Sequence, residues 1–229
     1  MKTKNIDTQE VSMARRSFLR YAGAGLAAAG MLGAAACHKA NPVVATGLDI
    51  GIGDTGILNY AYALEQLEAA FYIQVVATPY SGITATETAR LTDIRDHEVA
   101  HREFLKATLG TSQAIPALTP DFSSINFGTR ASVLAAAQAF EDLGVQAYNG
   151  AGFLIESGIY LGIAGKIVSV EARHASYIRD LITPGSFGDT TILDVNGMDQ
   201  SKTIAQVLPI ANTFLKTKVN ASNFGYVAS

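Results

Sequence analysis

The chain has 229 residues, 48% hydrophobic and 16% charged, with 17 Lys+Arg against 20 Asp+Glu for a net charge of −3. That length holds one domain or two small ones around a real core, and a weakly acidic chain without a basic block does not suit nucleic acid. A single cysteine excludes an intramolecular disulfide framework and any Cys-based zinc or iron–sulfur site, and only four histidines remain to carry chemistry.

Residues 1–37 read as an address. Met1 to Met13 is polar, Ala14-Arg15-Arg16-Ser17-Phe18-Leu19-Arg20 follows, and Tyr21 to Ala36 is uncharged and rich in Ala and Gly. This run is too short and too weakly hydrophobic for a transmembrane helix but fits a signal h-region. The paired arginines resemble a twin-arginine export signal, against the plainer reading of a secretory n-region that holds two arginines. Ala34-Ala35-Ala36-Cys37 fits a lipoprotein cleavage site with the lipid on Cys37, and equally simple cleavage after Ala36. The expectation is a protein of the periplasm or cell envelope that touches the membrane only through a lipid anchor.

Residues 38–53, including His38, form a tether without a useful period. A first helix is predicted from Asp54 or Thr55 to Ala77, with Leu58, Ala61, Tyr62, Leu64, Ala69 and Tyr72 at helical spacing and Thr78-Pro79-Tyr80-Ser81-Gly82 as its stop. The second runs from Thr84 or Thr86 to Leu109 with a Thr84-x-x-Glu87 capping box, and Gly110 ends it. Residues 111–128, with Pro116 and Pro120, form a loop long enough to need a topological reason. A third helix spans Thr129 to Tyr148, stopped by Asn149-Gly150, and a fourth Ser157 to Leu181, stopped by Thr183-Pro184-Gly185. Residues 182–229 are a C-terminal extension in which Ser201 to Lys218 reads as a fifth helix bent near Pro209. Two short-turn helix pairs joined by one long crossover between the second and third helices make an all-α four-helix bundle over residues 54–181.

Two ExxH motifs lie on this frame, Glu98-Val99-Ala100-His101 and Glu171-Ala172-Arg173-His174. Residues three apart share a helix face, so each Glu and His point into the same space. The other two helices each add a glutamate in a matching setting, Leu64-Glu65-Gln66-Leu67 with Tyr72 and Phe140-Glu141-Asp142-Leu143 with Tyr148. The chain thus repeats a helix pair of the form E…ExxH, and two such pairs about a pseudo-two-fold bring four carboxylates and two imidazoles to the bundle centre. That is a ligand set for two divalent ions, two Fe or two Mn. Four carboxylates in an apolar interior are prohibitive alone, whereas two divalent ions offset their charge and leave the histidines neutral.

On these residues the chain resembles the ferritin-like superfamily, and within it the exported, desiccation-related bacterial branch; the likeness covers about Gly56 to Leu181. The resemblance implies Glu65 and Glu141 as terminal ligands, Glu98 and Glu171 as bridges, and His101 and His174 on one metal each. No CxxC pair follows the bundle, so a rubredoxin-like electron-transfer module is missing and any electron donor is external. Glu68 either replaces or supplements Glu65 as a ligand or, as its repeat counterpart Gly144 favours, stands behind the ligands without binding metal. Tyr72 and Tyr148 are either core residues or hydroxyl partners of a ligand carboxylate on the opposite helix. His97 faces about 100° away from Glu98 and reads as a surface or supporting residue; Asp93, Asp96 and Asp142 either orient ligand histidines or are solvated. Two functions follow as expectations: an oxidoreductase acting on O2 or peroxide, or a stress-related envelope protein using the bundle as a scaffold with metal structural or absent.

Overall fold

The structure, a computed structural model, describes residues 47–228. The helices are α1 (Gly53–Ala77), α2 (Ala85–Leu109), α3 (Arg130–Gly152), α4 (Gly158–Ile182) and the short α5 (Ile204–Ala211). Two two-residue strands, β1 (Leu48–Asp49) and β2 (Val219–Asn220), pair in parallel. The architecture is the expected all-α four-helix bundle: α1 packs chiefly on α2, and α3 on α4. The connection from α2 to α3 is the long crossover.

Helix ends follow local chemistry. Thr84 Oγ1 accepts from the Glu87 amide at 3.1 Å while Glu87 Oε2 accepts from the Thr84 amide at 3.0 Å, so the capping box starts α2 as read. Gly110, at φ +69°, ends it. The Asp54 carboxylate accepts from the amides of Glu156 and Ser157, both at 2.8 Å, tying the first turn of α1 to the start of α4.

Helix α1 is buried on every side from Gly56 to Ala69, which forces its polar residues to find partners. Asn59 and Gln66 do so by holding the crossover. The Ile115 amide donates to Asn59 Oδ1 at 2.9 Å, Asn59 Nδ2 donates to the Gln113 carbonyl at 2.9 Å, and the Leu118 amide donates to Gln66 Oε1 at 2.8 Å. Beneath it, Phe71 meets Phe122 and Phe140 edge-on, with ring centroids 5.9 and 5.0 Å apart. The long loop is therefore a packed layer over α1.

Three details depart from the sequence reading. Helix α3 continues to Gly152 through Asn149-Gly150. Gly150 serves close approach there: a Cβ on it would lie 1.8 Å from the Lys202 carbonyl oxygen, and the Lys202 amide donates to the Gln146 carbonyl at 2.9 Å. The fifth helix is Ile204–Ala211 instead of Ser201 to Lys218. Asn212 ends it by bonding both backbone groups of Val219, its Oδ1 accepting at 2.8 Å and its Nδ2 donating at 2.9 Å. The end of the tether forms β1, and the amides of Leu48 in it and Ile50 after it donate to the carbonyls of Lys218 and Asn220.

Candidate metal centre

Each long helix delivers its share to one point. Glu65 (α1), Glu98 (α2), Glu141 (α3) and Glu171 (α4) are all 0% exposed; His174 is buried and His101 nearly so. Their donor atoms form two groups, Glu65, Glu98, His101 and Glu171 in one and Glu98, Glu141, Glu171 and His174 in the other, each within 4.8 Å. Glu98 and Glu171 belong to both groups. Glu68 belongs to neither, so the structure does not substitute it for Glu65.

The arrangement obeys a local two-fold. His101 Nδ1 lies 2.9 Å from Glu171, 3.4 Å from Glu65 and 3.8 Å from Glu98; His174 Nδ1 lies 2.8 Å from Glu98, 3.4 Å from Glu141 and 3.8 Å from Glu171. Tyr148 donates its hydroxyl to Glu65 Oε1 and Tyr72 donates to Glu141 Oε1, each at 2.5 Å. Of the two readings of these tyrosines, the geometry selects the hydrogen bond to a carboxylate from the opposite helix pair. It leaves Oε2 of Glu65 and Glu141 for the centre.

The atoms that face the centre are orphaned. Glu65 Oε2, Glu141 Oε2, both oxygens of Glu98 and Glu171, and Nδ1 of both histidines are buried and make no hydrogen bond, although nitrogen and oxygen come within 3 Å. Buried polar groups are normally satisfied, whereas every one of these inward-facing atoms is not. Oxygen and imidazole donors converging without bonding one another suit divalent iron or manganese.

Without metal, the cluster must balance its charge with protons. Burial, followed by the neighbouring Glu171 charge, pushes Glu98 well above the carboxylate range, and Glu65 rises for the same reasons. Burial raises Glu141 to about 7 against the contacts with His174. Burial opposes the charged histidines, but the surrounding glutamates outweigh it and push His101 and His174 up to about 12. Glu171 alone is lowered, because its contacts with both histidines outweigh burial. Protons and two divalent cations are thus alternative solutions to one electrostatic problem.

Around the ligands, other expectations divide. Glu68 is buried with its Oε1 3.0 Å from where a Gly144 Cβ would sit, so the glycine opposite makes its room. Burial, then the charges of Glu171 and Glu98, push its carboxyl well above the usual range. Asp93, Asp96 and Asp142 do not orient histidines: they pair with Arg90, Arg95 and Arg179. Arg179, buried, makes two bonds to Asp142 at 2.8 and 2.6 Å, a clamp between α3 and α4 that periodicity alone does not expose. His97 Nδ1 meets His174 Nε2 at 2.9 Å, with the rings 11° from parallel. Its sequence position gave only a direction on α2; the partner is on another helix. Cys37, His38 and the segment expected to direct export lie outside the described residues.

The family model for a ferritin-like domain matches residues 53–184. No curated protein matches the chain. That match spans more than half of the sequence and every residue of the four-glutamate, two-histidine cluster, and the chain belongs to the ferritin-like domain family.

Proposed function

We propose that this protein is a di-metal carboxylate protein of the cell envelope, with two iron or two manganese ions at the bundle centre and redox chemistry toward O2 or peroxide. The observation that carries the reading is the set of buried, unbonded donor atoms on Glu65, Glu98, His101, Glu141, Glu171 and His174. Glu65, Glu98, His101 and Glu171 would hold one ion and Glu98, Glu141, Glu171 and His174 the other. Bound metals would supply the electrons for reducing the oxidant, replenished by an external donor.

The chain's own part is positional. Tyr148 and Tyr72 anchor one oxygen of each terminal glutamate, which keeps the other turned inward. Leu64, Leu67, Phe140 and Leu143 flank those glutamates with buried apolar surface that excludes water. Glu68 lies buried beside the cluster, with its carboxyl pushed upward by burial and by the charges of Glu171 and Glu98 while no metal is bound.

The envelope assignment rests on Arg15-Arg16-Ser17-Phe18-Leu19-Arg20 as a twin-arginine signal and on Cys37 as the lipid-bearing residue. It agrees with a place in the exported, desiccation-related branch of the family. Among the described residues no helix is long and apolar enough to cross a membrane; the lipid on Cys37 is the membrane contact proposed here. Anaerobic loading with Fe²⁺ followed by O2 or peroxide tests the reaction: rapid oxidation is expected, abolished by Glu98→Ala. Equal rates in variant and wild type refute it and favour the scaffold role.

A further inference from the structure

The histidine–carboxylate and tyrosine–carboxylate distances of the cluster match across the pseudo-two-fold to within 0.1 Å. The surroundings do not. His174 Nε2, the ring nitrogen turned away from the carboxylates, lies 2.9 Å from His97 Nδ1. The position matching His97 in the other ExxH motif is Val170, whose side chain has no hydrogen-bonding atom. His97 itself is exposed, so it is not a core residue placed there by packing.

We infer that the two metal positions are inequivalent, with the His174 position the tighter, and that His97 is the positioning residue that makes it so. The inference rests on the di-metal reading above. To hold a metal, His174 must present the lone pair of Nδ1, the atom that faces Glu98 and Glu141. A neutral ring then carries its hydrogen on Nε2, and that N–H donates to His97 Nδ1. The bond fixes the tautomer, holds the ring plane and raises the basicity of the ligating nitrogen. His101 receives no equivalent help from Val170 and must select its tautomer and orientation on binding. Identical ligands thus differ in preorganisation.

The test is stepwise Co²⁺ binding to the metal-free full chain, followed by calorimetry and by the visible bands of the bound ion. Glu98 and Glu171 are shared, so the first ion neutralises charge the second needs; two unequal steps alone do not discriminate. The variants do. His97→Ala is expected to weaken the first step by about tenfold or more, the usual effect of losing a partner behind a ligating histidine. The second step should move by only about twofold, since equalising two positions changes it by a statistical factor. His97→Asn, whose amide oxygen takes the place of Nδ1 as acceptor, should restore most of the loss. Circular dichroism of both variants should match wild type, because His97 is exposed. An unchanged first step in His97→Ala, or equal losses in both steps, overturns the inference and leaves the metal centre standing. Failure of wild type to bind any Co²⁺ overturns both.

Discussion

Three buried tyrosines offer a sharp contrast in what a hydroxyl does. Tyr148 and Tyr72 donate to Glu65 and Glu141 at 2.5 Å, whereas the Tyr60 hydroxyl, equally buried on α1, has no partner. Replacing Tyr148 by Phe leaves Glu65 Oε1 stripped of its donor in a fully buried position. A hydrogen bond to a charged group is worth about 1.5–3 kcal/mol. For a domain of this size that is a drop of about 3–12 °C in melting temperature. Tyr72→Phe should cost the same, because its geometry is the two-fold copy. Tyr60→Phe removes an unsatisfied buried hydroxyl and should leave the melting temperature within about 2 °C or raise it. The same variants titrated with metal should separate further, with Tyr148→Phe and Tyr72→Phe losing about 10–100-fold in affinity and Tyr60→Phe little. Thermal melts of the metal-free chain followed by metal titration read both effects. Equal losses in all three variants would refute the reasoning, since they would reduce the hydroxyls to common packing.

Gly150→Ala should undock the C-terminal extension from α3, since the new Cβ falls 1.8 Å from the Lys202 carbonyl oxygen and neither backbone can yield cheaply. Overpacking of this kind costs about 1–3 kcal/mol or more, and limited proteolysis should show new cleavage near residue 202; an unchanged digest contradicts it. The metal-free chain should lose stability as pH rises from 5 to 8. Glu141 binds more protons folded than unfolded, so its contribution is complete below the ordinary 4.5 and lost on rising through about 7. Glu65, Glu68 and Glu98 are shifted in the same direction, and His101 and His174 continue the trend from 6.5 toward about 12. Glu171 runs the other way, its share present above 4.5 and lost as pH falls through its lowered value. Melts across this range should fall for the metal-free chain; a rise would contradict the balance of shifts.

What the sequence exposed and what it hid follow one physical line. Glu98–His101 and Glu171–His174 are legible because residues three apart share a helix face wherever the helix packs. Glu65 and Glu141 become legible through the internal repeat, and Tyr72 and Tyr148 through their place on the same stripes. Contacts that depend on how separate elements meet are not written in any local period. His97 reaches His174 only because α2 packs beside α4. Asn59 and Gln66 look like ordinary polar helix residues until the crossover backbone covers them. Gly150 reads as a helix stop because glycine near the end of a period usually is one; only the approach of Lys202 gives it another use. The parallel pairing of β1 with β2 joins segments some 170 residues apart, each too short to show alternation.

The central claim is that Glu65, Glu98, His101, Glu141, Glu171 and His174 hold metal. Elemental analysis of the protein purified from its native compartment tests it most directly, with the doubly substituted Glu98→Ala, Glu171→Ala chain as control because those residues belong to both donor groups. Two iron or manganese ions per wild-type chain and none in the control are expected. A correctly folded wild-type chain that carries no metal would contradict it.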